Sequence, residues 1–271
     1  MTWLRSCVLS VGATVLLASA YPAGAQASPR FVAETPVARV DYWQRRAADI
    51  DAQLSSPESL SSVRIVFIGD SITDFWHFDA NPWFPGQYCG RAIWDESFGG
   101  AVPSQTAINL GVSGDRIEHV LHRLLPAADG GEGWLDRADL QPETIFLMLG
   151  INNSFDTESP ATESIYHGVL AVVARIQERK PGAHIVIQSL LPTDSASKNQ
   201  DLVQPVNDRL RAYVVATSGT SYLDLYPAFV DSTGVQRRDL FNDGLHPSRE
   251  GYAVWRNQLV SYLQRQEDSA D

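Results

Sequence analysis

Short apolar runs alternate along the chain with longer segments whose apolar residues recur at helical spacing. The runs span four to six residues, contain many β-branched side chains and few polar ones, which is typical of strands buried on both faces of a sheet. We therefore predict five strands, at residues 63–68, 106–110, 144–149, 184–188 and 222–225.

The segments between these runs predict amphipathic helices. We expect Asp115 to cap the second helix, with Glu118 three residues further on. Ser159 and Pro160 are expected to occupy the N-cap and the first helical position of the third helix. Strands alternating with helices predict an α/β fold around a parallel sheet that is covered on both faces. The predicted helices lie at 40–54, 117–124, 160–180, 203–216 and from Ser248 onward.

The first 27 residues have the layout of a secretory signal peptide. Arg5 provides a positive start, residues 7–20 are apolar and uncharged, and residues 25–27 form a small-x-small cleavage site. The apolar run is shorter than the roughly 20 residues that a membrane-spanning helix needs. We therefore expect a secreted protein, periplasmic or extracellular, without a stable membrane anchor. Residues 28–39 are expected to be a loose lead-in to a single domain over residues 40–271.

The charge balance narrows the possible partners. The whole chain has a formal charge of −11, and removing residues 1–27, which contain one arginine and no acidic residue, makes it −12. Nucleic acids and anionic membranes attract basic surfaces, so an acidic protein argues against both as partners. The sequence predicts no oligomeric state.

Cysteine and histidine usage argues against two other kinds of chemistry. Cys89 stands alone once Cys7 leaves with the signal peptide, so no disulfide can form within the mature chain. We expect Cys89 to be a small buried residue. His119 and His122 lie one helical turn apart, but no further ligand is placed to complete a metal site, so we expect a solvated helix face.

Candidate functional residues follow the predicted strands, at the edge of the sheet where open α/β proteins bind ligands. Ser71 follows the first strand in the stretch GDSIT, where its hydroxyl would lie beside free backbone N–H groups. Gly114 follows the second strand and Asn152 the third, which brings an unobstructed N–H and a neutral amide donor to the same edge. Taken singly, each residue also fits an ordinary turn, and Ser71 fits a helix N-cap.

The segment beyond the fifth strand contains an aspartate three residues before a histidine. Within one turn, Asp243 can hold the imidazole of His246 in one tautomer and leave its other nitrogen free to act as a base. Taken singly, this pair also fits a helix-capping aspartate beside a surface histidine. The four turns together are far more specific than any one of them.

Together the four turns resemble the sequence blocks of the SGNH (GDSL-type) hydrolase superfamily. The matching stretches are GDSIT, NLGVSGD, GINN and DGLHP, in the order of that superfamily, and the likeness covers about residues 60–265. The stretches GDRIEHVLHRL and DGLHPSREGYAVW are most similar to the platelet-activating-factor acetylhydrolase-like branch and its bacterial esterase relatives. One departure is Asn153, where many members have an aspartate.

The resemblance implies a flavodoxin-like three-layer α/β/α sandwich and a serine esterase that requires no metal or other cofactor. It implies that Ser71 is the nucleophile, that His246 is the general base and then acid, and that Asp243 orients the imidazole. The backbone N–H groups of Ser71 and Gly114 and the side chain of Asn152 would form the oxyanion hole. Asn153 is not an oxyanion donor in the family, so its departure leaves the implied catalysis intact.

The substrate is predicted in outline. Residues 75–98 contain eight aromatic side chains, which could form a platform for sugar rings, an apolar acyl wall, or a long loop pinned by its own aromatics. We expect only residues 75–105 to be long enough to cover Ser71, and long acyl chains need extended apolar cover. The prediction is therefore hydrolysis of short-chain, mainly acetyl, esters of small molecules or carbohydrates. Acyl transfer with the same triad and lipase-like hydrolysis of longer esters are the alternatives.

Overall fold

A computed structural model describes residues 30–39, 43–155 and 158–270. Its centre is a sheet in which every neighbouring pair of strands is parallel and the strand order is β2-β1-β3-β4-β5. This order is that of flavodoxin-like folds, and the predicted five-stranded parallel sheet is confirmed. The strands are β1 (Ile65–Gly69), β2 (Ala107–Asn109), β3 (Thr144–Met148), β4 (His184–Gln188) and β5 (Thr220–Leu223).

Helices form the connections between the strands. The predicted helices are present, and the structure adds the short helices α2, α3, α4 and α7, which are too brief to show a clear apolar period. The helices are α1 (Gln44–Leu54), α2 (Pro57–Leu60), α3 (Ser71–Asp74), α4 (Arg91–Ser97), α5 (Ile117–Leu124), α6 (Ala161–Arg179), α7 (Ala196–Lys198), α8 (Gln204–Val215) and α9 (Arg249–Ala270).

Aromatic contacts place helices on one face of the sheet. Phe67 of β1 packs against Phe146 of β3 at 5.1 Å and against Trp94 of α4 at 5.2 Å. Phe146 also contacts Tyr262 of α9, so α4 and α9 cover this face. Successive residues of a strand point to opposite faces of the sheet. The residues next to Phe67 in β1 and next to Phe146 in β3 are buried as well, so the other face is also covered. Helix α6 contacts both α5 and α8, and these three helices form the second helical layer.

Two of the predicted helix caps are wrong. Asp115 does not cap α5; the N-cap is Arg116, whose N–H donates to Nδ1 of His119 at 3.0 Å. Asp115 is instead fully buried in an ion-pair network. At α6, Pro160 is itself the N-cap, so Ser159 lies outside the helix. The sequence around Asp115 fitted a cap, but the ion pairs of its carboxylate with Arg39 and Arg123 decided its position.

The predicted bounds of the fifth strand are shifted by two residues. The strand begins at Thr220, because Ser221 and its neighbours pair with β4 at the edge of the sheet. Ser221 Oγ lies 2.9 Å from Nε2 of His184 and 2.6 Å from the Tyr262 hydroxyl, so polar side chains are satisfied there. An apolar run is therefore a poor guide to a strand at the edge.

Residues 30–39 are not the loose lead-in that the sequence suggested. Ala33 is fully buried, and the ring of Phe31 stacks on His167 of α6 at 6.0 Å. The carboxylate of Glu158 accepts hydrogen bonds from the N–H groups of Val32 and Ala33. The predicted signal peptide lies outside the described residues. Within those residues, no helix has the length and apolar character to cross a membrane.

The connection from β5 to α9 is longer than the sequence suggested. Residues 224–248 form a segment of 25 residues between these elements, so residues 75–105 are not the only long connection. This segment contains 3-10 turns at Tyr226–Phe229 and Arg238–Leu240, and it brings Asp243, Leu245 and His246 to the carboxyl edge of the sheet.

Candidate active site

Ser71 is the first residue of α3, directly after the tight turn at the end of β1. A Cβ atom on Gly69 would lie 2.2 Å from Oγ1 of Thr73 and 2.5 Å from the carbonyl oxygen of Met148, so the turn requires glycine. The N-cap of α3 is Asp70, whose Oδ1 accepts from the N–H of Ile72 at 3.0 Å. Ser71 is therefore not the cap of this helix, and its hydroxyl is available for other contacts.

The structure brings Ser71, His246 and Asp243 together. Nε2 of His246 lies 2.8 Å from Oγ of Ser71, and Nδ1 lies 2.7 Å from Oδ2 of Asp243. Oδ1 of Asp243 accepts from the backbone N–H groups of Leu245 and His246, at 3.0 and 2.7 Å. The side chains of His246 and Asp243 are 17 % and 20 % exposed. A substrate can therefore reach the pair without the site being fully open to water.

The aspartate holds the imidazole in one tautomer. Partial burial raises the pKa of Asp243, but the hydrogen bonds from the side chain and backbone of His246 outweigh this effect and hold the pKa below its ordinary value. An ionised carboxylate can only accept, so Nδ1 carries the proton. Nε2 then presents a lone pair to the Ser71 hydroxyl, as a general base requires.

Gly114 and Asn152 line the same cavity as Ser71. Gly114 has a φ of 76°, in the left-handed region that favours glycine, within a turn closed by a 3.1 Å bond from Asp115 N–H to Val112 carbonyl. Nδ2 of Asn152 donates to the carbonyl of Asp115 at 2.8 Å, which leaves its second N–H for another acceptor. The cavity has a volume of about 370 Å³, and we refer to it as the Ser71 cavity.

Arg39 and Arg123 hold this turn on the side away from the Ser71 cavity, and neither was predicted from the sequence. Nη1 of Arg39 donates to the carbonyl of Ser113 and to Oδ1 of Asp115, both at 2.8 Å. Arg123 donates to both carboxylate oxygens of Asp115, at 2.5 and 3.0 Å. Arg39 is far from Asp115 in the chain, and Arg123 belongs to no motif that suggests a role. The only signal in the sequence for these two arginines is that their partner, Asp115, follows Gly114.

Asp74, which lies in α3 with Ser71, hydrogen-bonds to the turn that contains Gly114. This buried carboxylate accepts from the N–H and the hydroxyl of Ser113, at 2.9 and 2.5 Å, and pairs with Nε of Arg46 at 2.8 Å. Burial raises the pKa of Asp74, but the contacts with His77, Arg46 and Ser113 lower it below its ordinary value. Its spacing of three residues from Ser71 was the available sequence signal. The Ser113 hydroxyl is committed to this contact.

The asparagine that departs from the family pattern has a structural place. Oδ1 of Asn153 accepts from the N–H of Ile117 at 3.0 Å, and its Nδ2 donates to Glu118 at 2.8 Å. It therefore joins the turn after β3 to the first turn of α5 and does not line the Ser71 cavity.

Asp70 is a buried carboxyl beside the predicted nucleophile. Desolvation raises the pKa of Asp70 to about 7, while its hydrogen bond from Ile72 and the nearby His246 act in the opposite direction. The one thiol that the structure describes, Cys89, is fully buried as expected, and burial raises its pKa to about 11.

Six of the eight aromatic side chains in residues 75–98 are either clearly buried or clearly exposed, and Phe78 and Trp94 are partly buried. Phe75, Trp76 and Phe98 are buried, so these side chains do pin the segment to the body. Trp83, Phe84 and Tyr88 are 51 %, 41 % and 46 % exposed. Trp83 and Phe84 line the Ser71 cavity. The segment is therefore both an anchored loop and an aromatic surface beside Ser71.

The fold and this geometry define the class of protein. Residues 67–254 match the family described as GDSL-like Lipase/Acylhydrolase, and the chain belongs to that family. It is accordingly a carboxylic ester hydrolase with the SGNH fold, and the resemblance seen in the sequence is confirmed.

Individual relatives show how far the likeness extends. The chain is 32 % identical over 203 residues to platelet-activating factor acetylhydrolase IB subunit alpha1 of Pongo abelii, covering 74 % of this chain and 75 % of that protein. Subunit alpha2 of Rattus norvegicus is 31 % identical over 193 residues, or 70 % and 71 % of the two chains. The solved structure of a GDSL-like lipase from Bacteroides thetaiotaomicron shares the fold, with a TM-score of 0.57 at 18 % identity over 83 % of this chain and 98 % of that one.

Proposed function

We propose that this protein is a secreted serine esterase that cleaves short-chain esters, acetyl esters above all, through an acyl-enzyme intermediate. Ser71 is the nucleophile, His246 the general base and acid, and Asp243 the group that orients the imidazole. The observation that carries the proposal is the continuous hydrogen-bonded chain from Asp243 through His246 to Oγ of Ser71, at 2.7 and 2.8 Å.

The proposed reaction has two steps. Nε2 of His246 takes the proton of Ser71 as Oγ attacks the ester carbonyl, and the C–O bond to the alcohol breaks as His246 returns that proton to the leaving oxygen. Water then attacks the acyl-enzyme in the same way and releases the acid. The N–H groups of Ser71 and Gly114 and the free N–H of Asn152 stabilise the oxyanion in both steps. Arg39 and Asp115 hold two of these donors in place.

The size of the Ser71 cavity supports a short acyl group. A volume of about 370 Å³ lies near the lower end of ligand pockets, which span roughly 300–1,000 Å³, and it must also accept part of the alcohol. A long chain would gain roughly 0.8 kcal/mol for each CH₂ only where apolar walls cover it. The relatives at 30–32 % identity carry the name acetylhydrolase, which agrees with this preference.

A labelled fluorophosphonate tests the nucleophile. The probe should form one covalent adduct, at Ser71, and the wild-type protein should hydrolyse p-nitrophenyl acetate. Ser71→Ala should lose both, with a fall in kcat of roughly 10⁴-fold or more, because the members of a triad act as a unit. Labelling at another serine, or near-normal turnover by Ser71→Ala, would contradict the proposal.

Export is proposed from residues 1–27. When the full chain is expressed in a bacterial host, the mature protein should be recovered outside the cytoplasm with an N-terminus near residue 28, as N-terminal sequencing would show. Retention of the uncleaved chain in the cytoplasm would contradict this part of the proposal.

A further inference from the structure

A second cavity adjoins the Ser71 cavity and shares two of its lining residues. We refer to it as the Arg45 cavity; it has a volume of about 290 Å³ and lies between α1, the turn after α3 and the loop that carries Trp83. Trp83 and Ser113 line both cavities. A small ligand whose reacting carbonyl is at Ser71 can therefore extend from one cavity into the other.

The arrangement of rings beside His246 indicates which part of an ester would extend there. The alcohol of the substrate departs with a proton from His246, so it must lie on the imidazole side of Ser71. The ring of Phe75 stacks on His246 at 4.7 Å, and the ring of Trp83 stacks on Phe75 at 5.0 Å. Trp83 and the Arg45 cavity beyond it therefore lie on the alcohol side.

Trp83 is a fixed aromatic platform. Phe75 packs parallel to one face of its indole ring, at an angle of 14°, and Phe78 meets the indole edge-on at 5.9 Å. Oδ1 of the buried Asn81 accepts from the backbone N–H groups of Trp83 and Phe84, at 2.9 and 3.2 Å. Because half of the Trp83 side chain is nevertheless exposed, an apolar ring face can stack on it at little conformational cost.

The polar groups of the Arg45 cavity suit a neutral ligand with several hydroxyl groups. Arg46 and Asp74 neutralise each other at 2.8 Å. Arg45 and Asp49 are exposed, and neither forms an ion pair with any residue that the structure describes. Arg45 and Asp49 thus offer a donor and an acceptor of opposite charge, and the buried Nε1 of Trp43, which has no hydrogen-bond partner within the described part of the chain, offers a further donor. A phosphate would need a net positive lining. The remaining walls, which include Trp43, Phe78 and Val112, are apolar and suit the face of a sugar ring.

We infer that the Arg45 cavity binds the sugar ring of an acylated carbohydrate, with Trp83 stacking on the ring and Arg45 and Asp49 bonding its hydroxyl groups. The inference rests on the proposed esterase function and names the substrate class of that site. The ester bond cleaved is the one between the acyl carbonyl at Ser71 and a hydroxyl oxygen of the sugar.

Two acetyl esters provide the test. The first is p-nitrophenyl acetate, which has no sugar, and the second is acetylated xylo-oligosaccharide. Arg45→Ala and Asp49→Ala should each raise the KM for the sugar ester by about tenfold relative to that for p-nitrophenyl acetate, since each removes a hydrogen bond to a charged group. Trp83→Ala should do the same, and Trp83→Phe should recover part of the loss because it keeps a stacking face.

Tyr88→Ala is the matched control, because Tyr88 is an exposed aromatic residue of the same loop that lines neither cavity. It should leave the ratio of the two KM values unchanged. The inference is overturned if the ratio stays within twofold of wild type in the Arg45, Asp49 and Trp83 variants, or if those variants selectively impair longer acyl chains.

The result also separates this inference from the esterase proposal. Wild-type protein that cleaves p-nitrophenyl acetate, or platelet-activating factor, but not the sugar ester would contradict the sugar site alone. Wild-type protein that cleaves none of the three would contradict the esterase function itself.

Discussion

Arg39 donates from Nη1 to the carbonyl of Ser113 at 2.8 Å, and this bond fixes the peptide that carries the Gly114 N–H. In a trans peptide the C=O and the N–H point in opposite directions. Holding the carbonyl on the Arg39 side therefore directs the Gly114 N–H towards the Ser71 cavity. Arg39 thereby becomes a positioning residue for the proposed oxyanion hole, although it lies outside both the sequence blocks and the cavity.

Arg39→Met should lower kcat for p-nitrophenyl acetate by about ten- to a hundredfold and leave KM within about twofold, because a misplaced donor weakens the transition state more than the ground state. Arg137→Met is the control. Arg137 also joins a backbone carbonyl, that of Leu54, to a carboxylate, that of Asp139, and lines neither cavity. Equal losses of kcat in the two variants would show a general effect on folding.

Two neighbouring asparagines give a sharper comparison. Asn152→Ala removes a donor aimed at charge that develops only in the transition state, so kcat should fall by roughly 10²–10³ with little change in KM. Asn153→Ala should instead reduce the free energy of unfolding by about 1–3 kcal/mol and retain kcat, since Asn153 bonds only within the body of the protein. A change confined to KM in Asn152→Ala would show that Asn152 binds substrate rather than the oxyanion.

Asp70 predicts a pH dependence of stability. Its pKa is about 7 in the folded protein, and an unfolded aspartate has a pKa near 3.9. Between these values the folded state holds the proton and the unfolded state does not, so this group makes stability fall as pH rises. The full effect, on the order of 4 kcal/mol, is reached above pH 7. Asp70→Asn should therefore gain stability relative to wild type from pH 5 to pH 8, as urea unfolding would measure.

Asp231→Asn serves as the control for this comparison. Hydrogen bonds from Thr233, through its side chain and its backbone, lower the pKa of Asp231, so it is ionised in both states from pH 5 upward. Its effect on stability should be constant over that range. A difference between wild type and Asp70→Asn that also stays constant from pH 5 to pH 8 would contradict the buried, protonatable state of Asp70.

Acyl length is the fourth prediction. The value of kcat/KM for p-nitrophenyl esters should be highest for acetate and fall steadily towards palmitate, because the Ser71 cavity is too small to cover a long chain. A steady rise towards the long chains would indicate a lipase-like enzyme. The exposed rings of Trp83 and Phe84 would then be an acyl surface.

The sequence predicted the strands and turns whose structure is decided by residues that are close together in the chain. The strands β1, β3 and β4 are continuous apolar runs because both faces of a parallel sheet are buried, and their positions follow from the pattern alone. Asp243 and His246 lie three residues apart, so one turn suffices to join them. The same pattern misplaced β5, where polar side chains are satisfied at the sheet edge.

Tertiary structure decided whatever depends on contacts between distant segments. Asp115 fits a helix cap locally, but two arginines offer its carboxylate stronger charged partners. Arg123 is buried, and Arg39 lies 76 residues away in the chain. The aromatic stretch at residues 75–98 likewise has features that the sequence predicts and features that only packing decides. Its composition predicted rings near Ser71, but packing against α4 and α9 decides which rings are buried and which line the Ser71 cavity. By itself, the sequence determined the sheet and the turns that carry the predicted active-site residues. Only packing decided how the turn at Gly114 is held and which aromatic side chains remain exposed.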